Sequence, residues 1–270
     1  MSDKNEQIYP NINAKNIKVG KNVVIEKTAV IRGVSGSADN IVIGDNTYIG
    51  HNVQIICDNF SIGDYGKIHH NTNVHGYKSC SIGHNCWIGQ YCIIDSIGGT
   101  SIGDNCGIGA HSQLWSHIKY GDTLEGCRFN SSEKMSIGND VWFVGHCIVS
   151  PINACDKSMA LAGSVVTKDM EENHIYAGSP AKDITQKVGK QFDTISLEEK
   201  MERMNDYLRD FETLIGVKKH NIKICKSVKE FESKYSCFSV SERVYSKKMT
   251  YFEQQFMKFL LPEKAKFTPC

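Results

Sequence analysis

The 270-residue chain has no excess of charge of either sign. Lys and Arg together number 31, Asp and Glu 30, and the formal net charge is +1. Bulk electrostatics therefore gives no case for a nucleic-acid or anionic-membrane partner. No apolar run approaches the roughly 18 residues that a membrane-spanning helix needs. The opening stretch, Met1-Ser2-Asp3-Lys4-Asn5-Glu6, is polar and lacks the apolar segment of a secretion signal. The eleven cysteines include no Cys-x-x-Cys pair, which removes a common zinc and redox signature. An odd number of thiols behind such a start reads as reduced cysteines in a cytoplasmic protein. In that setting the sequon Asn130-Ser131-Ser132 reads as a chance match. At this length there is ample material for one large or two smaller cores.

What the chain has is a repeat. Ser61-Ile62-Gly63 recurs as Ser81-Ile82-Gly83, Ser101-Ile102-Gly103 and Ser136-Ile137-Gly138. Between the copies runs a finer beat of six: Ile62, Ile68, Val74; Ile82, Ile88, Ile94; Ile102, Ile108, Leu114. It starts at Val19, is broken by a Gly- and Ser-rich loop at Val34 to Asn40, and resumes at Ile43. Three short apolar-led segments per coil make a triangular solenoid rather than a helix or a hairpin array. Gly, Asp and Asn fill the second to fourth places, as tight and partly left-handed corners require. The fifth place is small, and Cys86, Cys92, Cys106 and Cys147 occupy it. These four read as compact buried hydrophobes rather than metal ligands, because nothing in the spacing makes them converge.

The third segment of each coil is longer than the others, so one corner bulges. After Leu114 the beat stops, and the interval from Ser101 to Ser136 holds Trp115, Ser116, His117 and a polar loop, Ile118 to Met135. With neighbouring strands about 4.8 Å apart, alignment of the coil leads gives two columns at that corner. One runs Asp58, Tyr77, Ile97, His117 and the other Ile56, His75, Asp95, Trp115. Imidazole titrates near 6.5 in its unperturbed state, which suits a general base. His117, standing at the break, is the leading catalytic candidate, with Asp58, Tyr77 and Asp95 as acceptor-binding or orienting residues.

Beyond Lys182 the beat is gone. Ser196 to Glu199 has helix-capping spacing, and Leu197, Met201, Met204, Leu208, Phe211 and Ile215 recur as an amphipathic helix ended by Gly216. A strand from Asn221 to Cys225 and helices opened by Ser227 and Thr250 complete a small α or α+β appendix. The predicted organisation is a lead-in at 1–18, the solenoid at 19–188 and a mainly helical extension at 189–270.

The hexad pattern over about residues 19–188 resembles the hexapeptide-repeat acyltransferases. Three further stretches are similar to the xenobiotic and sugar O-acetyltransferase branch. They are Ile137 to Trp142, Ala160 to Asp169, and Ala177-Gly178-Ser179-Pro180-Ala181-Lys182. The resemblance implies an all-β solenoid, a left-handed parallel β-helix, assembled as a homotrimer with active sites between subunits. It implies acetyl-CoA as acyl donor, no metal, and His117 as the base. Trp142 would flank the reactive end of the donor, Gly145 and Ala162 would offer backbone groups to its arm, and Thr167, Lys168 and Lys182 would meet its phosphates. The chain departs from the family in reading Phe143-Val144-Gly145 where Gly usually follows the coil lead. Zinc-binding carbonic anhydrases share the fold and bring His69, His70 and His75 into view, but only His70 and His75 have a workable spacing, and no third histidine stands in register with those two. The expected activity is acetylation of a sugar hydroxyl, on a surface polysaccharide or its precursor. The alternatives are N-acetylation of a nucleotide-linked amino sugar and a catalytically silent β-helix scaffold.

Overall fold

A computed structural model describes residues 9–270, and the chain forms two compact units, one ending at Phe192 and one from Asp193 to Cys270. The first is a three-faced prism of parallel coils. One face stacks the serine strands, with Phe60↔Cys80↔Thr100↔Met135 and Ser61↔Ser81↔Ser101↔Ser136 in register. A second stacks Lys67, Trp87, Gly107, Trp142 and Met159. The third stacks Gln54, Asn73, Ile93, Gln113, Ile148 and Val165. The coil leads all point inward: Ile62, Ile82, Ile102, Ile68, Ile88, Ile108, Val74, Ile94 and Leu114 are each no more than 3% exposed. Burying each such side chain stabilises the fold by about 1.5–3 kcal/mol.

The prism begins earlier than the hexad beat indicates. Residues 1–8 of the expected lead-in lie outside the described residues, but Ile12–Val19 is a strand. Its start pairs with the third face, Ile12↔Ile31, and the rest with the serine face, Ala14↔Ala38 through Val19↔Ile43. One strand thus joins two faces at the end of the prism. The loop expected at Val34 to Asn40 is shorter, since strand resumes at Ala38.

The Ile-Gly motif has a different physical reason from the one the sequence suggests. At the corner between the serine and tryptophan faces, the left-handed residues include Asn46, Tyr65, Asn85, Asn105 and Asp140, with φ of 56–64°. The preceding glycines make room instead. A Cβ on Gly83 would lie 2.4 Å from Asp104 Oδ1, and one on Gly138 would lie 2.3 Å from Asp156 Oδ1. Those carboxylates stitch coil to coil: Asp64 Oδ1 accepts from Asp45 N at 2.8 Å, and His84 Nδ1 from Asp64 N at 2.9 Å. Asp104 Oδ1 accepts from His84 N at 2.6 Å, Asn139 Oδ1 from Asp104 N at 2.8 Å, and Asp156 Oδ1 from Asn139 N at 2.7 Å. Asp104→Ala removes one stitch and is expected to cost about 1–2 kcal/mol in urea unfolding. Asp104→Asn should cost less, because Asn139 already fills the equivalent place in the next coil.

All eleven cysteines are free, and Cys86, Cys92, Cys106 and Cys147 are at most 1% exposed inside the prism. Burial pushes the Cys92 thiol up to about 11. The Cys86 hydrogen bond and then burial raise the Cys106 thiol. The Cys92 and Cys106 thiols stay protonated at neutral pH, as packing groups do.

The second unit is α+β. Helix Leu197–Ile215 is capped by Ser196, whose side chain accepts from Glu199 N, and ends at left-handed Gly216. Helix Tyr251–Leu260 is capped in the same way by Thr250. Ser227 makes no cap bond and opens only a single 3₁₀ turn, while the Glu230 carboxylate accepts from Lys226 N instead. The strand expected at Asn221 to Cys225 spans Ile222–Cys225 and belongs to a four-stranded sheet with Ser236–Ser239, Val244–Tyr245 and Thr268–Pro269. Phe211, Phe238 and Phe256 form its aromatic core, with Phe238 and Phe256 edge-on at 5.2 Å. Among the described residues no helix is long and apolar enough to cross a membrane.

Candidate active site

The corner between the third and serine faces carries the longest turns, and the interrupted coil leaves the prism there. Strand Gln113–Leu114 runs into Trp115 and Ser116, and His117–Lys119 then pairs antiparallel with Asn130–Ser132 as a hairpin. Glu133 N donates to Ser116 O at 3.0 Å to close its base, and Met135, fully buried, re-enters the serine face. The loop is less polar than its sequence context suggests: Ile118, Tyr120, Leu124 and Phe129 are all exposed along it.

His117 sits at the root of this hairpin with its side chain 18% exposed. Its Nδ1 lies 2.9 Å from Asp95 Oδ2. The same oxygen accepts from Ser116 N at 2.8 Å and from the Ser116 hydroxyl at 2.5 Å. Ser116 Oγ in turn accepts from Gly98 N at 2.8 Å. Gly98 is required where it stands, because a Cβ there would lie 2.3 Å from Ser116 O and 2.2 Å from Glu133 O. Beside a carboxylate, the imidazole nitrogen facing it carries the proton. Nδ1–H therefore donates to Asp95, and Nε2 is left as a lone-pair base with no hydrogen-bond partner among the described residues. The Trp115 ring meets the imidazole edge-on, centroids 6.1 Å apart, and its Nε1 donates to Gln113 Oε1 at 3.2 Å.

The second expected column stands, with Ile56↔His75↔Asp95 in strand register. Asp95 is 0% exposed, which suits orienting His117 rather than contact with an acceptor, and its Oδ2 is taken up by Ser116 and His117. Of the first column, Asp58 Oδ1 accepts from Val34 N at 3.0 Å and so braces the turn at the start of the prism. Three coils, about 14 Å at the usual strand spacing, separate it from His117. Tyr77 is 68% exposed at the same corner and free to meet a ligand. Ser116 and His75, both partners of Asp95, were missed as site residues; the only sequence signal was their adjacency to His117 and to the Asp95 column.

The expected donor-binding residues divide among the corners. Thr167 and Lys168, both exposed, follow strand Val165–Val166 and share the His117 corner. Gly145 and Ala162 lie at the corner between the tryptophan and third faces. Ala162 is exposed, while Gly145 is buried with its carbonyl accepting from Gly163 N at 2.9 Å. Trp142, 45% exposed, leans over the bare Gly107 of the coil below, where a Cβ would come within 3.0 Å of its ring. Lys182 is exposed on the strand Ala181–Asp183 that closes the tryptophan face. Among the described residues no three His, Cys, Asp or Glu side chains converge as a metal site. His69 packs against Tyr48 and Trp87, His70 against Tyr91, and His75 faces Asp95.

No family model matches the sequence. Over 49 residues the chain is 41% identical to galactoside O-acetyltransferase of Escherichia coli (strain K12). The match covers 18% of this chain and 24% of the relative, so the chain spans about a quarter of the curated relative's length. Similar solved structures include a hexapeptide-repeat acetyltransferase of Vibrio cholerae O1 biovar eltor complexed with acetyl coenzyme A. It is 17% identical over 56% of this chain and 72% of that one, with a TM-score of 0.40. The N-acyltransferase AntD from Bacillus cereus, in complex with dTDP and 3-hydroxybutyryl-CoA, is 19% identical over 75% and 93% of the two chains, with a TM-score of 0.43. The hexad repeat folds into a three-faced parallel β-helix, and over the matched stretch the chain is similar to a galactoside O-acetyltransferase.

Proposed function

We propose that the chain is an acetyl-CoA-dependent O-acetyltransferase acting on a sugar hydroxyl, on a surface polysaccharide or its precursor. One observation carries the reading: the buried Asp95–His117 pair, 2.9 Å apart, with Nε2 free at the root of a hairpin. The local identity to a galactoside O-acetyltransferase points to the acceptor class. Nε2 takes the hydroxyl proton as the acceptor oxygen forms its bond to the acetyl carbonyl carbon. Asp95 holds the resulting imidazolium, which returns the proton to the departing thiolate. A general base of this kind supplies about 10²–10⁴-fold; orientation and a backbone N–H at the developing oxyanion supply more.

The exposed residues fit an extended donor. Gly163 has φ of 72° and open space where a Cβ would be, so the Ala162–Gly163 turn presents bare backbone. Lys168 and Lys182 offer ammonium groups suited to phosphate. The third face separates His117 from the corner of Gly145 and Ala162, so one prism does not line both sides of a groove. This supports a homotrimer, in which unlike corners of neighbouring copies meet.

The test incubates the full chain with acetyl-CoA and a panel of galactosides, other sugars and polysaccharide fragments, and reads acetyl gain by mass spectrometry. Acetyl on a hydroxyl supports the reading. Acetyl on the amine of a nucleotide-linked amino sugar replaces it with N-transfer. A thermal melt with millimolar acetyl-CoA addresses the scaffold alternative. Ligand at 100 times its Kd stabilises by about 2.7 kcal/mol, a shift of several degrees, and no shift would favour a silent scaffold.

A further inference from the structure

Asp95 lies between two imidazoles, and only one of them belongs to the reaction described above. All the hydrogen bonds to its side chain fall on Oδ2. Oδ1 is buried without a hydrogen-bond partner among the described residues, and so is Nδ1 of His75. His75, one coil below in direct register, points Nε2 at that bare oxygen from 3.7 Å. A buried carboxylate oxygen without a donor is costly, and a shift of less than 1 Å in the His75 ring brings Nε2 within hydrogen-bond range.

We propose that His75 is a positioning residue for the His117 base, donating its Nε2–H to the Asp95 oxygen that His117 leaves free. The inference rests on His117 acting as the base. The tautomer follows from the burial pattern. With the proton on Nε2, the orphaned Nδ1 is only an acceptor without a partner. With the proton on Nδ1, a buried N–H would go unpaired and a lone pair would face the carboxylate, which is the worse arrangement. The Nε2–H bond does two things for the base. It fixes the plane of the carboxylate, so that Oδ2 stays aimed at His117 Nδ1. It also stabilises Asp95 as an anion, so that the proton taken from the acceptor stays on His117. His75 is 39% exposed on its other side, so its ring can be replaced without opening the core.

Three measurements decide the matter. In the unmodified protein, ¹⁵N side-chain spectra of labelled histidine, with His75 assigned from its absence in His75→Gln, should show His75 protonated at Nε2. Protonation at Nδ1 overturns the proposal, and this arm needs no substrate. His75→Leu should lower kcat about 10-fold or more with KM for acetyl-CoA unchanged, using the sugar acceptor identified in the panel. His75→Gln, which places an amide donor near the Nε2 position, should recover to within about 3-fold of the starting kcat. Wild-type kcat in His75→Leu overturns the proposal, as does equal damage in both variants, which would mean that ring packing matters rather than the donor. If the unmodified chain acetylates nothing, the enzymatic reading fails, and the spectra still decide the His75–Asp95 bond.

Discussion

His117→Ala is expected to lower turnover by about 10²–10⁴-fold, the range for loss of a positioned general base. At about 1.4 kcal/mol per decade that is roughly 3–5 kcal/mol of barrier. The fold should survive the change. His117 stands at the root of an extruded hairpin and not in the prism core, and Asp95 keeps both Ser116 donors when the imidazole goes. The thermal shift given by acetyl-CoA should likewise persist, since the expected donor contacts lie at Trp142, Ala162, Thr167 and the lysines. Stopped assays of thiol release, alongside melts with and without acetyl-CoA, separate the two effects. Turnover within a few-fold of the starting protein would remove His117 from the role of base. Lost turnover together with a lost acetyl-CoA shift would place it in donor binding instead.

Legibility differs between the prism and the site for a physical reason. Each inward isoleucine reports its own environment, because the hexad repeats that environment in every coil; Ile62, Ile68 and Val74 could be placed by counting alone. The capping of Leu197–Ile215 is local as well, with Ser196 and Glu199 three residues apart. The stitching of Asp104 to His84 N is not local: it acts across a coil, and so Gly83 looked like a turn residue when its work is to leave room for that carboxylate. The burial of Asp95 was hidden for the same kind of reason. Strand alternation turns it away from the prism axis, as it does His75, and alternation predicts exposure. Its burial comes from Ser116 and His117 closing over it at the base of an insertion that no other coil repeats. Ser227 and Glu230 match a capping box by spacing, yet Glu230 accepts from Lys226 N, one residue before the Ncap, and Ser227 makes no cap bond. The later strands of the second unit pair antiparallel at Phe238↔Tyr245 and parallel, across a longer span, at Tyr245↔Pro269, and no periodic pattern announces them.

Asp95→Asn tests the pair itself. Ser116 N–H and O–H both donate to the Oδ2 position, so the amide oxygen must take that place and its NH₂ must face His75. His117 then still finds an acceptor at Nδ1, and its basic tautomer is retained. What disappears is the negative charge that stabilises the imidazolium during transfer. The expected loss in kcat is about 10²-fold, less than for His117→Ala, with KM for acetyl-CoA unchanged. Asp95→Ala should be worse in two ways: turnover falls further because nothing fixes the imidazole, and stability falls because two buried Ser116 donors lose their acceptor, at about 1–3 kcal/mol for each group left unpaired. The decisive comparison is the double variant. In the proposed mechanism the buried Asp95 acts only through His117, so adding Asp95→Asn to His117→Ala should cost nothing further in rate. Multiplying losses would show instead that the buried carboxylate shapes the acceptor site by a route independent of the base, and that the two residues are not one unit.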